Sequence, residues 1–163
     1  MHVTDFRQMY LTELQETRSL EEMLSDALPR IADKAADAEL KNGLEEHASQ
    51  TRSQLERVRR MLERHGVAPR EHKDQSMAAM VEEAEKWAGM IDEPNLRDAG
   101  LIASAQRIEH YEIAIYGTLA AWAKQLGLNE DLDELLSILD EEKAEDERLT
   151  TLAKRQINPH AVQ

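Results

Sequence analysis

Residues 95–126 read NLRDAGLIASAQRIEHYEIAIYGTLAAWAKQL, and this stretch decides the fold class of the chain. It is predicted to form one long helix that ends at Gly127, a residue well suited to terminate a helix. One set of residues recurs at steps of three and four, the spacing that gives a helix one buried face. This stripe consists of Leu101, Ala105, Glu109, Glu112, Tyr116, Leu119, Ala123 and Leu126. Two glutamates therefore stand in the middle of a face that is predicted to be buried.

Three further segments show the same spacing, so an all-α bundle of four long helices is predicted. They run from Thr4 to Asp33, from Asp37 to His65, and from Asn129 to about Ile157. The composition agrees, because Ala, Leu, Glu, Lys and Arg dominate and there are only six Gly and four Pro. Pro29 is expected to bend or weaken the last turns of the first helix, and residues 158–163 are expected to fray after Pro159.

The connections predict the topology. Short turns join the first helix to the second and the third to the fourth, so each pair forms an antiparallel hairpin. Between the hairpins lie roughly 29 residues, Gly66 to Pro94, with a loop at Val67–Asp74 that contains Pro69 and a short helix at Gln75–Ile91. Two hairpins joined by one long crossover are typical of ferritin-like bundles, and residues 1–163 are expected to form a single domain of this kind.

The composition limits the classes of partner. The chain has 20 Lys and Arg against 33 Asp and Glu, and its formal net charge of −13 disfavours nucleic acid and anionic membranes. It has no cysteine, which excludes disulfides, thiolate catalysis and cysteine-bound zinc or iron–sulfur clusters. No secretory signal and no apolar run of about 20 residues is visible, so a cytoplasmic protein is expected.

Polar residues interrupt the apolar stripes of all four bundle helices. Buried carboxylates are costly unless they are paired or bind a metal, so a polar interruption on every helix, acidic on three of them, indicates a shared purpose. Within each hairpin the interrupting residues lie within about 6 Å of one level, from the rise of about 1.5 Å per residue. They are Glu21, His47, Glu109, Glu112 and Glu142, with Asp146 or Glu145 as a further residue of the last helix.

Carboxylates and one imidazole that meet in a bundle core suit two metal ions, iron or alternatively manganese. Bridging carboxylates would leave open positions for O₂, peroxide or water. Gln50 or Gln54 could add an amide oxygen to the ligand set. The competing interpretation is that the acids are buried, hydrogen-bonded side chains and that His47 is bonded to a carboxylate across the bundle.

The chain resembles the ferritin-like YciE/YciF stress proteins over nearly its whole length. The resemblance is clearest at DAGLIASAQ, residues 98–106, which runs into IEHYEIA at 108–114 and YGTLA at 116–120. It recurs at 20–21, 27–29, 54–57 and 141–144, and at the single positions His47, Thr51, Asp146 and Leu149. The step from Glu109 to Glu112 is also similar to the third-helix pair of rubrerythrins.

This resemblance implies a ferritin-like fold, a dimetal centre and expression under stress, without an assigned activity. The ligands it implies are Glu21, His47, Glu109, Glu112, Glu142 and Asp146, and it favours Asp146 over Glu145. The second helix departs from the ferritin-like pattern, because Leu44 stands where a glutamate three residues before the histidine is usual. Acids that relatives carry near Ser49 and Gln50 are also replaced here, so this helix offers fewer ligands.

Two functions follow from these observations. The first is a dimetal oxidoreductase or iron-handling protein that reacts with O₂ or peroxide. The second is a structural or interaction protein of the stress response, in which the metal only stabilises the bundle. A homodimer is the expected assembly, since two-fold dimers are the commonest oligomers.

Overall fold

Five long helices build the fold in the computed structural model, which describes residues 3–68 and 72–163. Within these ranges the chain contains no strand, so the prediction of an all-α fold is confirmed. The helices are α1 Phe6–Ala32, α2 Ala38–Arg64, α3 Gln75–Met90, α4 Pro94–Leu126 and α5 Asn129–Leu152. Helices α1, α2, α4 and α5 form the bundle, and α3 lies in the crossover against α1 and α4.

Acidic side chains begin four of the five helices. Each accepts hydrogen bonds from backbone N–H groups of the first turn, which also suits the positive end of the helix dipole. These capping residues are Asp5, Asp37, Asp74 and Glu93. Gly66 and Gly127 follow α2 and α4 with positive φ angles of 67° and 71°, which glycine adopts without steric cost. Both helix ends therefore lie where the sequence predicted them.

Hydrogen bonds at the two ends of the bundle fix the direction of each helix. Asp98, near the start of α4, accepts the N–H groups of Ala36 and Asp37 in the α1–α2 turn, at 2.9 and 2.7 Å. At the other end the Tyr10 hydroxyl, early in α1, donates to Asp131 at the start of α5, at 2.7 Å. Helix α4 therefore runs antiparallel to α1, and α5 runs parallel to α1. The crossover passes from one end of the bundle to the other, which is the ferritin-like connection.

Helix α1 continues through Pro29 to Ala32, close to the predicted end at Asp33, and the missing Pro29 N–H removes one hydrogen bond near that end. One expectation about the C-terminal end needs correction. The C-terminal segment is not frayed: a π-helical turn at Ala153–Ile157 leads into a short helix α6, Asn158–Ala161. Pro159 is tolerated because it lies in the first turn of α6, where a helix needs no N–H donor.

The predicted loop at 67–74 includes residues 69–71, and these residues, with Pro69 among them, lie outside the described part of the chain. In the described ranges no helix is both long enough and apolar enough to cross a bilayer.

Candidate metal centre

A cluster of four buried glutamates and one buried histidine interrupts the apolar core near the middle of the bundle. Each bundle helix supplies at least one member, and every member is at most 2% exposed. The cluster consists of Glu21 from α1, His47 from α2, Glu109 and Glu112 from α4, and Glu142 from α5. The rest of the buried core is apolar and consists mainly of Leu, Ile and Ala side chains.

Four of these side chains converge closely. His47, Glu109, Glu112 and Glu142 each offer one ligand atom, and these four atoms all lie within 4.8 Å of one another. Two ligand atoms on opposite sides of one small divalent ion would be separated by about 4.2 Å, given metal–ligand distances of about 2.1 Å. The His47 Nε2 atom lies 3.5 Å from Glu109 Oε1. Small movements of side chains would therefore bring all four ligand atoms to a single ion.

Most ligand atoms of the cluster lack a hydrogen-bond partner. Both ring nitrogens of His47 and both carboxylate oxygens of Glu112 are buried without one, as is one oxygen each of Glu21, Glu109 and Glu142. Folded proteins leave few buried polar atoms unsatisfied, and so many in one place is unusual. Oxygen and imidazole nitrogen atoms that share a buried site suit a hard or borderline divalent cation. The residues therefore fit a metal ion.

Burial also changes the protonation of the cluster. The pKa values of Glu21, Glu109 and Glu112 lie well above the ordinary value because of burial and of repulsion from neighbouring carboxylates. Burial raises the pKa of Glu142 to about 7, while hydrogen bonds from Glu109 and Gln54 oppose the increase. Without a cation, burial and mutual repulsion therefore favour the protonated, neutral form of these carboxyl groups over four negative charges. A bound cation would replace those protons.

His47 is in the state that a ligand requires. Burial, together with the positive charge of Arg148, lowers the pKa of His47 to about 4. The imidazole is therefore neutral at physiological pH and has a lone pair available for a metal.

The cluster has two ends. At one end, His47 faces Glu109; at the other, Glu21 accepts a hydrogen bond from the buried Tyr116 hydroxyl. The charges of Glu21 and Glu142 both act on Glu112, while Glu142 also acts on Glu109. Glu112 and Glu142 therefore lie between the two ends. Glu21 lies outside the group of four ligand atoms that converge within 4.8 Å. The Tyr116 hydroxyl thus contacts a candidate ligand.

The structure brings Glu145 to the cluster and leaves Asp146 outside it. Glu145 is buried, and its Oε1 atom lies 4.0 Å from His47 Nδ1. Asp146 is half-buried; it accepts a hydrogen bond from Gln106 at 3.1 Å and lies 3.4 Å from His110 Nε2. The two residues follow Glu142 by three and four positions, so they point to opposite sides of it, Glu145 towards α2 and Asp146 towards α4.

The two glutamines of α2 have different positions. Gln54 is fully buried and its amide group donates to Glu142 and to Glu141, so it orients the Glu142 carboxylate. The Gln54 amide oxygen has no partner. Gln50 is half-buried at the surface between α2 and α5.

Sequence reasoning missed Arg148, which binds Glu145 through two hydrogen bonds of 2.7 and 2.6 Å. A glutamate and an arginine three residues apart usually indicate an exposed pair on one helix, so the spacing alone could not show this role. The signal that could have revealed it is Gly43 on α2, because a Cβ atom there would overlap the Arg148 guanidinium.

The chain is similar in sequence to known proteins. A family model described as a domain of unknown function, DUF892, matches residues 5–162. Protein YciF of Escherichia coli (strain K12) is 35% identical over 162 residues, which cover 99% of this chain and 98% of YciF.

Solved structures are similar as well. The crystal structure of the E. coli stress protein YciF matches with a TM-score of 0.91 and 35% identity, over 96% of this chain and 99% of that one. YcfI of Rhodopseudomonas palustris, for which a structural role has been suggested, matches with a TM-score of 0.88 and 34% identity, over 91% and 95%. A protein from Xanthomonas campestris, at 23% identity and a TM-score of 0.73 over 91% and 90% of the chains, is similar in fold alone.

Proposed function

Because this chain belongs to the DUF892 family and is similar to the stress protein YciF, we propose that it is a ferritin-like stress protein that binds two metal ions, iron or alternatively manganese. The observation that carries the proposal is the convergence of unpartnered, buried ligand atoms from α2, α4 and α5, to which α1 adds the buried Glu21 beside Glu142. Residues 1–163 would form one domain that works in the cytoplasm. The chain would assemble as a homodimer, and analytical ultracentrifugation tests this assembly.

The five cluster residues would divide between the two ions. His47 and Glu109 would hold one ion, Glu21 would hold the other, and Glu112 and Glu142 would be shared. Glu145 replaces Asp146 as the nearest additional carboxylate, because it lies beside His47. A ligand set of one neutral imidazole and several carboxylates suits Fe²⁺ and Mn²⁺.

The surrounding residues would prepare the ligands for binding. Tyr116 donates to one oxygen of Glu21 and leaves the other free, and Gln54 does the same for Glu142. Such hydrogen bonds orient a carboxylate before a cation arrives and typically change metal affinity by about 10- to 100-fold. When iron is bound, it would supply the electrons for the reduction of O₂ or peroxide. The apolar core would limit the access of bulk water to that reaction.

Metal content and stoichiometry test the binding proposal. Protein purified without added metal should contain iron or manganese by elemental analysis, and the metal-free protein should take up about two Co²⁺ or Fe²⁺ ions per chain. Glu109→Gln and Glu112→Gln should lower this stoichiometry. Glu147→Gln, an exposed position on α5, should leave it unchanged. A wild-type protein that binds no divalent metal at micromolar concentrations would refute the proposal.

A second function is favoured by the structural role suggested for YcfI and by the geometry of the cluster, which joins all four bundle helices. In this alternative the metal only stabilises the bundle. The two functions differ in one measurement, the oxidation of bound Fe²⁺ under O₂ or peroxide. If the metal raises the melting temperature but bound Fe²⁺ is oxidised no faster than Fe²⁺ in buffer, the structural function is correct.

A further inference from the structure

A groove between α2 and α5 leads from the surface to the cluster. It is open to solvent, has a volume of about 560 Å³, and has His47 at its floor. Its α2 wall contains the exposed side chains of Glu46, Ser49 and Ser53, and its α5 wall contains Glu141 and Glu145. We call this feature the α2–α5 groove.

The floor of the groove points to a ligand. His47 is only 2% exposed, and neither of its ring nitrogens has a hydrogen-bond partner. One nitrogen, Nε2, faces Glu109 inside the cluster, whereas Nδ1 faces Glu145 on the groove side at 4.0 Å. The imidazole therefore stands between the groove and the buried acids.

Four other cavities in the described part of the chain are lined by residues outside the cluster. The groove between α1 and α3 is lined by residues such as Met23, Arg30 and Glu82, and the cavity at the α2–α5 end of the bundle by residues such as Arg64 and Asp131. Helices α2 and α5 pack less closely than the other adjacent pairs of the bundle. The groove that ends at His47 therefore lies between the two adjacent helices that pack least closely.

Two arginine side chains, one at each end of the groove, link α2 to α5. Arg148 of α5 fills the space left by the missing side chain of Gly43 on α2, and it binds Glu145. At the other end, Arg57 of α2 binds Glu141 of α5 at 2.7 Å. The contacts keep the two helices together while the stretch between them, with small serine side chains on α2, stays open.

We propose that the α2–α5 groove is the path by which divalent cations enter the buried cluster. This inference rests on the proposed function. The exposed Glu46 carboxylate attracts cations to the rim, and they reach His47 past Glu145, whose Oε1 atom lies 4.0 Å from His47 Nδ1. The groove thereby determines the rate of metal uptake, whereas the cluster itself determines how many ions are held.

Blocking the groove tests this path. Co²⁺ is mixed with metal-free protein in a stopped-flow instrument, and uptake is followed by the visible absorption of the bound ion. Ser49→Trp and Ser53→Trp place a bulky ring in the groove without removing a ligand, and each should slow uptake about fivefold or more while the final stoichiometry is unchanged. Ala103→Trp, an exposed position on α4, is the control and should keep the wild-type rate.

Changing the charge of the rim gives a second, independent test. Glu46→Gln should slow Co²⁺ uptake about threefold at low ionic strength and less at high salt, because salt screens exposed charges. Glu45→Gln is the matched control: it is the neighbouring exposed glutamate of α2 and does not line the groove, so its rate should be unchanged. Circular dichroism checks that every variant is folded.

The possible results separate the two proposals. Uptake at the wild-type rate in the tryptophan variants, with normal final stoichiometry, overturns the path and leaves the metal-binding function standing. Slowed uptake in the groove variants but not in the controls supports the path. A wild-type protein that takes up no Co²⁺ overturns the proposed function and the path with it.

Discussion

Replacing Glu142 by glutamine should make the metal-free protein more stable at pH 8 and should weaken its response to metal. Glu142 is fully buried, and burial raises the pKa of its carboxyl group from 4.5 to about 7. The folded protein therefore binds this proton more tightly than the unfolded chain does. The stability that the proton contributes is present below pH 4.5 and is lost as the pH rises through about 7. An amide in the same place needs no proton and keeps its stability.

The size of the effect follows from the two pKa values. A pKa raised from 4.5 to about 7 corresponds to about 3 kcal/mol between low and high pH. At pH 8 the wild-type protein has lost nearly all of this stability, whereas at pH 5 it has lost less than about 1 kcal/mol. Gln54 donates to Glu142 and can donate to an amide oxygen equally well, so Glu142→Gln should keep this hydrogen bond. We therefore expect Glu142→Gln to gain about 3 kcal/mol at pH 8 relative to wild type and less than about 1 kcal/mol at pH 5.

Guanidinium chloride denaturation of the metal-free proteins at pH 5 and pH 8 measures this difference. Glu147→Gln, exposed on the same helix, controls for the general effect of removing one negative charge. In the presence of Co²⁺ at 100 times its Kd the wild-type protein should gain about 2.7 kcal/mol, and Glu142→Gln should gain much less. A Glu142→Gln protein that is destabilised equally at both pH values would show that the carboxylate is well compensated in the core, which would refute the reasoning.

Two further predictions concern the residues that support the fold and the site. Tyr116→Phe removes the hydrogen bond to Glu21 and should lower Co²⁺ affinity about tenfold without changing the number of ions bound; calorimetric titration measures both, and an unchanged affinity contradicts the supporting role. Asp131→Ala removes a buried carboxylate that binds a tyrosine, a histidine and an arginine at one end of the bundle, and it should cost about 3–5 kcal/mol in chemical denaturation. Asp133→Ala, exposed in the same turn, should have little effect.

The fold could be predicted from the sequence because its signals are local. The alternating steps of three and four in residues 95–126 require one buried face, and the glycines after α2 and α4 mark helix ends whatever the rest of the chain does. The crossover could be inferred from its length alone, since a segment of roughly 29 residues can traverse a bundle that short turns cannot. The acids Glu21, Glu109, Glu112 and Glu142 were identified because each interrupts a stripe of buried residues.

What could not be predicted depends on small rotations of a helix. Glu145 and Asp146 differ by about 100° around α5, and both fit the apolar periodicity of that helix, so only the packing of α5 against α2 shows which one lies at the cluster. The continuation of the chain through Pro159 could not be foreseen either, because it depends on the π-helical turn that precedes α6. Arg148 was missed for a similar reason, as its position is set by Gly43 on another helix.

The cost of the cluster helps to separate the two proposed functions. A bundle core gains stability most simply from apolar side chains, and replacing buried charged groups by apolar ones often stabilises a protein by about 1–4 kcal/mol. A metal that only fastened the helices would need a single set of ligands that saturates the ion. Here four carboxyl groups and one imidazole are buried together, Tyr116 and Gln54 leave one oxygen of each carboxylate they contact free, and a groove reaches His47 from the solvent. A site that is costly to fold, has more acidic groups than one ion requires and remains accessible favours metal ions that react or exchange over ions held permanently.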